Sequence, residues 1–150
     1  MSQHAYCRCW VHLIWSTQDR GRVLHEAVAM QLSARLSEYA AAKEIYMKIN
    51  YANADHVHVL IDLPAKMALE EVAQLLKGSS SHWLNSKRLL KTRFAWGRGY
   101  GAFSVSESNV DQVAKYVAEQ REHHRVKSFA EEFDEFAKRH GLRRISEESR

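Results

Sequence analysis

The stretch "IYMKINYANADHVHVLIDLP", residues 45–64, constrains the fold more than any other part of the chain. It holds two runs rich in β-branched and aromatic residues, joined by a short polar turn around Asn53 to Asp55 and ended by the single proline, Pro64. Runs joined that tightly pair as an antiparallel hairpin. Along the second run, strand alternation sends Val57, Val59 and Ile61 to one side and His56 and His58 to the other. One side must be covered by apolar partners. The other carries two imidazoles at a spacing that suits a metal ion or a phosphate held against a sheet. With nine histidines in 150 residues, that spacing alone does not select a function.

The elements around the hairpin complete a pattern. Upstream, "YCRCWVHLIWST" alternates and reads as a first strand, and "HEAVAMQLSARLSEYAAAKE" places Val28, Leu32, Leu36 and Tyr39 at helical spacing. Downstream, "MALEEVAQLLKGSSSHWLNSKRLL" carries a helical stripe that Gly78 and three serines are expected to break before a second helical piece. "YGAFSVS" then reads as a fourth strand. A third helix follows, with Ser108 and Asp111 as a capping signature and Val110, Val113, Ala114, Val117 and Ala118 as its stripe. "SFAEEFDEFAKRHG" adds a short amphipathic helix stopping at Gly141, and the tail after about residue 142 is expected to fray. The order strand, helix, strand, strand, helix, strand is that of a split βαβ, ferredoxin-like α+β fold: a four-stranded antiparallel sheet with helices on one face and the other face free. The 150 residues are expected to form a single domain, large enough to bury a core without staples.

Composition narrows the function classes. No apolar run approaches the roughly 18 residues of a membrane span, and "MSQHAYCRCW" lacks the basic and apolar regions of a signal peptide. A cytoplasmic protein without a membrane partner is expected. The only cysteines, Cys7 and Cys9, are too close in a strand for an unstrained bridge, which fits a reducing compartment. The net charge of +4 is mild, but no Asp or Glu occurs between Glu71 and Glu107, where Lys77, Lys87, Arg88, Lys91, Arg93 and Arg98 fall. Interleaved with Trp83, Phe94, Trp96 and Tyr100, this segment is what a phosphate-tracking, base-stacking surface needs. The plainer alternative is a solvated basic face with its aromatics in the core.

Tyr116 and Gln120, four apart in "KYVAEQ", share one side of the third helix, beside its apolar stripe. Taken alone, Tyr116 is equally a half-buried packing residue. Taken with the histidine strand and the basic segment, the set has a chemistry. Two neutral imidazoles and an amide oxygen can hold a divalent cation that polarises a phosphoryl oxygen. A tyrosine beside it can attack phosphorus, form a phosphotyrosine and expel a 3′-hydroxyl, which conserves the energy needed to rejoin DNA without a nucleotide cofactor.

The pair His56-Val57-His58, Tyr116 and Gln120 in "KYVAEQ", and the run "GYGAFSVSESNVDQVAKYVAEQREHH" resemble the HUH-type single-tyrosine transposases of the insertion-sequence 200-like family. The likeness runs from "WVHLIWSTQDRGRVL" through "LKGSSS" to "HGL". It implies a DNA transposase that binds single-stranded DNA hairpins, nicks them through a 5′-phosphotyrosine and rejoins strands with Mg2+ or Mn2+. It further implies a homodimer with shared active sites, in which the tyrosine helix of one subunit completes the histidine site of the other. Carried onto this chain, His56, His58 and Gln120 become metal ligands and Tyr116 the nucleophile. Arg20, Arg22, Arg93 and Arg98 are the suggested phosphate or base contacts. Host-retained relatives acting on genomic palindromes share the same motifs.

Two other readings compete. A non-catalytic module of the same fold would bind single-stranded nucleic acid on its sheet and form no covalent adduct. A metal site of His4, Cys7, Cys9 and His12 is opposed by strand parity, since His12 faces away from both cysteines. His123 and His124 read as a solvated helix end or a further ligand.

Overall fold

The computed structural model describes residues 5–120 and 128–141. Strands β1 (Trp10–Ser16), β2 (Tyr46–Ala52), β3 (His56–Asp62) and β4 (Gly101–Val105) form one sheet in the order β2-β3-β1-β4, antiparallel throughout. Between them run α1 (Glu26–Ala42) and α2 (Leu69–Ser86); α3 (Val110–Ala118) and α4 (Phe129–Arg139) follow β4. The expected α+β split βαβ arrangement is present. His4, His123, His124 and the tail after residue 142 lie outside the described residues.

The hairpin turn is closed by Asn53 N donating to His56 O at 2.7 Å. Strand parity then sorts the core. Leu13 and Trp15 of β1 and Val57, Val59 and Ile61 of β3 bury against Val28, Leu32 and Leu36 of α1 and Val72 and Leu76 of α2. At roughly 1.5–3 kcal/mol for each fully buried large aliphatic side chain, this face supplies most of the apolar driving force. The opposite face is covered too, which element counting did not show. Val110 of α3 packs with Trp10 and Leu60, and Phe133 and Phe136 of α4 pack against Ile14 and Phe103. Gly101 permits that second contact: a Cβ there would stand 2.7 Å from the Phe133 ring and 2.9 Å from Ile14.

Two local expectations change. Helix α2 runs unbroken through Gly78 and the three serines. The buried Ser80 hydroxyl donates back to Leu76 O at 2.7 Å, and its oxygen accepts from Trp96 Nε1 at 2.9 Å, so a residue type that often breaks a helix here ties it to the next segment. Ser108 does not cap α3. It sits inside a 3-10 turn, Glu107–Asn109, that leads into the helix, and no side chain caps α3. Helix α4 does carry such a cap, with Ser128 accepting from Glu131 N at 3.2 Å.

Candidate active site

Strand β3 turns both of its histidines under α3 and α4, where each is fully buried. Their Nδ1 atoms are engaged: His56 Nδ1 lies 2.7 Å from Asp55 Oδ1, and His58 Nδ1 lies 2.8 Å from His12 Nε2 on β1. With Nδ1 occupied, each ring turns Nε2 toward the same small region, where His58 Nε2 meets Glu132 Oε1 at 2.7 Å and His56 Nε2 lies 3.1 Å from Asn53 Nδ2; a partner at one ring nitrogen orients the other in this way. Burial, with His58 as the next cause, pulls His12 down to about 3, so that ring is neutral at pH 7 and can give or take the shared proton.

Tyr116 reaches this region from α3. Its ring centre is 6.0 Å from that of His58 in an edge-on arrangement and 5.6 Å from that of Phe136. Burial raises the phenol above the ordinary tyrosine range; a hydrogen bond to Glu132 pushes the same way, and one to Gln120 opposes it. Gln120 does not share the third helix with Tyr116 as expected: α3 ends at Ala118 and is capped at Glu119, and Gln120 lies just beyond, fully buried, donating from Nε2 to Tyr116 O at 3.3 Å. The structure therefore brings His56, His58, Tyr116 and Gln120 together within one chain.

Glu132 of α4, only 2% exposed, is the residue that the strand and tyrosine motifs did not announce. Its Oε1 is 2.7 Å from His58 Nε2 and 3.8 Å from His56 Nε2. A signal for it exists in hindsight: Glu132 lies four residues before Phe136 on the apolar side of an amphipathic helix, where a carboxylate has no reason to be unless something polar faces it. His12 has the same kind of signal, an imidazole on a strand position whose neighbours across the sheet are Leu60 and Phe103.

The basic segment forms a separate feature. Residues 93–98 fold beside the second half of α2 and enclose with it a cleft of about 740 Å³, lined by Lys77, His82, Arg93 and Arg98 among others. Asn85 holds it by accepting from Phe94 N at 2.8 Å and donating to Phe94 O at 3.0 Å. Lys77 donates to Gly97 O and Gly99 O, both at 2.8 Å, so its ammonium serves the wall of the cleft. The aromatics do not form the expected stacking row. Phe94 is buried and Trp96 packs against the same core, because the segment needs an apolar anchor; Tyr100 remains exposed. Arg20 and Arg22 are exposed on the turn after β1, outside the residues lining this cleft. Nor do the cysteines meet His12: both are exposed and reduced, whereas His12 is buried against His58.

Comparison with known proteins gives this arrangement a family. The model of the IS200-like transposases matches residues 5–120. The chain belongs to that family. As an IS200-like transposase it is a DNA-cutting and strand-transferring protein by class. It is 29% identical over 116 residues to the ISDra2 transposase TnpA of Deinococcus radiodurans, covering 74% of this chain and 83% of that one. It is 25% identical over 124 residues to the transposase of insertion sequence element IS200 from Salmonella typhimurium, covering 79% and 81%. Among solved structures, a candidate transposase from Deinococcus radiodurans superposes with a TM-score of 0.65 at 25% identity, over 80% of this chain and 96% of that one. A REP-associated tyrosine transposase bound to a REP hairpin shares the fold, with a TM-score of 0.57 at 12% identity over 83% and 74%. Among the described residues of this IS200-like transposase, no helix is long and apolar enough to cross a membrane.

Proposed function

We propose that this transposase binds single-stranded DNA hairpins, nicks them through a 5′-phosphotyrosine at Tyr116, and rejoins strands with Mg2+ or Mn2+. The observation that carries the reading is the convergence of the His56 and His58 Nε2 faces with Tyr116 in one buried region of the same chain. The donor set fits a divalent ion: two imidazoles whose other nitrogens are engaged, with oxygen donors beside them. An ion bound there supplies Lewis-acid polarisation of the scissile phosphoryl group.

The chain's own residues do the rest. His56 and His58 would hold the ion, and Gln120, beside Tyr116, would offer its amide oxygen as a further ligand. Tyr116 Oη forms the new bond to phosphorus as the bond from phosphorus to the 3′ oxygen breaks; the phenol gives up one proton and the departing 3′-hydroxyl takes one up. The ring of Phe136, edge-on to Tyr116 and backed by Phe103, keeps water from the phosphotyrosine and so protects it from hydrolysis. Arg93 and Arg98, at the cleft beside α2, and Arg20 and Arg22, on the adjacent turn, contact the DNA backbone. Gly97 N donates to Ser16 O, and Ser16 is the register partner of His56, so the cleft opens at the same end of the sheet as the histidines. A fold relative bound to a REP hairpin supports hairpin DNA as the substrate class.

The homodimer implied by the resemblance is a separate matter. One chain already places Tyr116 against its own His58, which supports a site completed in cis; a dimer exchanging α3 would present the same residues to a partner. The deciding experiment is incubation with labelled hairpin-bearing single-stranded DNA and Mn2+, followed by a denaturing gel. A protein-linked fragment that disappears in Tyr116→Phe is the expected result. Tight hairpin binding with no fragment from any flanking hairpin would instead favour a non-catalytic module.

A further inference from the structure

We infer that Glu132 is itself a ligand of the divalent ion, so that His56, His58 and Glu132 form its primary binding set and the last helix of the same chain closes it. This rests on the metal-dependent reading above and adds to it a residue contributed by α4.

Three observations carry the inference. The first is geometric. One ligating atom from each of the three residues lies within 4.8 Å of the other two. Neighbouring ligands around an octahedral Mg2+ or Mn2+ stand about 3 Å apart for metal–ligand distances near 2.1 Å. The Glu132 Oε1 distances of 2.7 Å to His58 Nε2 and 3.8 Å to His56 Nε2 bracket that value, so an ion fits between them once His56 Nε2 gives up Asn53 Nδ2, 3.1 Å away, for it.

The second is charge. Two neutral imidazoles and a neutral amide leave a doubly charged ion uncompensated in a buried place, and Mg2+ and Mn2+ favour hard oxygen donors, carboxylates above all. Glu132 is the buried carboxylate in that set.

The third is position. Glu132 occupies the sheet-facing side of α4 with Phe133 and Phe136, which pack on Ile14 and Phe103. A carboxylate among aromatic anchors is costly to bury unless a charge or strong donors meet it, and here the imidazoles of β3 do so. The carboxylate has capacity for both tasks: one oxygen can ligate while the other accepts from the Tyr116 hydroxyl, which tethers the nucleophile to the ion's own ligand. Tautomer exchange makes room. Without an ion, His12 Nε2–H can donate to His58 Nδ1 while His58 Nε2–H donates to Glu132; with one, His58 donates from Nδ1 to His12 and frees Nε2.

The test uses the full chain and Mn2+ alone, without DNA, read by calorimetry and by the Mn2+ electron-paramagnetic signal. Glu132→Gln keeps the size but replaces one carboxylate oxygen and the charge with an amide NH2, and should weaken Mn2+ binding about tenfold or more, since even groups that only support a metal ligand are worth that much. Glu132→Asp should retain part of the affinity, and His58→Ala should lose it. Mn2+ should also raise the melting temperature of the wild type, and this rise should shrink in Glu132→Gln, because an ion that binds only the folded chain stabilises it. Circular dichroism without metal confirms that each variant folds. If Glu132→Gln binds Mn2+ as tightly as the wild type, or more tightly, while His58→Ala does not, Glu132 is not a ligand and the histidine site stands. If the folded wild type binds no Mn2+ at millimolar concentration, the metal-dependent reading falls with it.

Discussion

The two faces of the sheet are built from the same strands and do opposite work. On one, Leu13, Trp15, Val57, Val59 and Ile61 meet α1 and α2 in a dry apolar layer. On the other, one residue along in each strand, His12, His56 and His58 meet α3 and α4, with Tyr116 and Glu132 pointing back at them. Both faces are buried, yet only the first is buried by apolar area alone. The lesson is that burial supplies stability on one side, whereas on the other it supplies low dielectric and fixed orientation for polar groups, each held by a specific partner. Phe103, Phe133 and Phe136 show how the second face stays packed while doing so: aromatic walls surround the polar set.

The comparison breaks most sharply at Tyr116. Tyr116→Phe should abolish the covalent DNA adduct on a denaturing gel while leaving hairpin binding nearly unchanged. Mixing it with His58→Ala sharpens the point: restored adduct would mean that two chains share a site, and continued silence that each chain completes its own. On the dry face the reverse is expected. Leu32→Ala should cost about 2–5 kcal/mol in chemical denaturation, with adduct yield per folded molecule intact. Gly101→Ala tests the seam between the faces. The added methyl meets Phe133 and Ile14, so a loss of about 1–3 kcal/mol is expected, together with a weaker response to Mn2+ as α4 is displaced.

Smaller effects follow at the cleft. Replacing both Arg93 and Arg98 with Ala should flatten the salt dependence of single-strand binding, lowering the slope of log K against log salt by about 1.4 if each meets one phosphate. An unchanged slope would place the DNA elsewhere. The smallest effect has the opposite sign. Gly78 lies within α2 with open space around it, so Gly78→Ala should stabilise the fold by up to about 1 kcal/mol in the same denaturation assay.

Much of this was legible before any coordinates, for local reasons. The hairpin "NYANADHVHV" sets two strands as neighbours because its turn leaves no other pairing, and period-two alternation puts His56 and His58 together on the face opposite Val57 and Val59. Helical spacing likewise aligned Val28, Leu32 and Leu36, all now buried against the sheet. Where local rules misled, tertiary contacts outweighed them: Ser80 and Gly78 sit in an unbroken helix because Leu76 O and Trp96 take up the serine hydroxyl.

What the sequence by itself determined is the order of elements and the side of β3 that carries its imidazoles, since each depends only on local pattern and the repeat of a strand or a helix. What only the tertiary structure decided is the company those groups keep. His12 reaches His58 across 46 residues of chain, and Glu132 reaches it from a helix that docks through Phe133 and Phe136. No periodicity connects such residues. They meet because an aromatic seam around Gly101 seats α4 over the polar face, and that seating is a property of packing between elements rather than of any one of them.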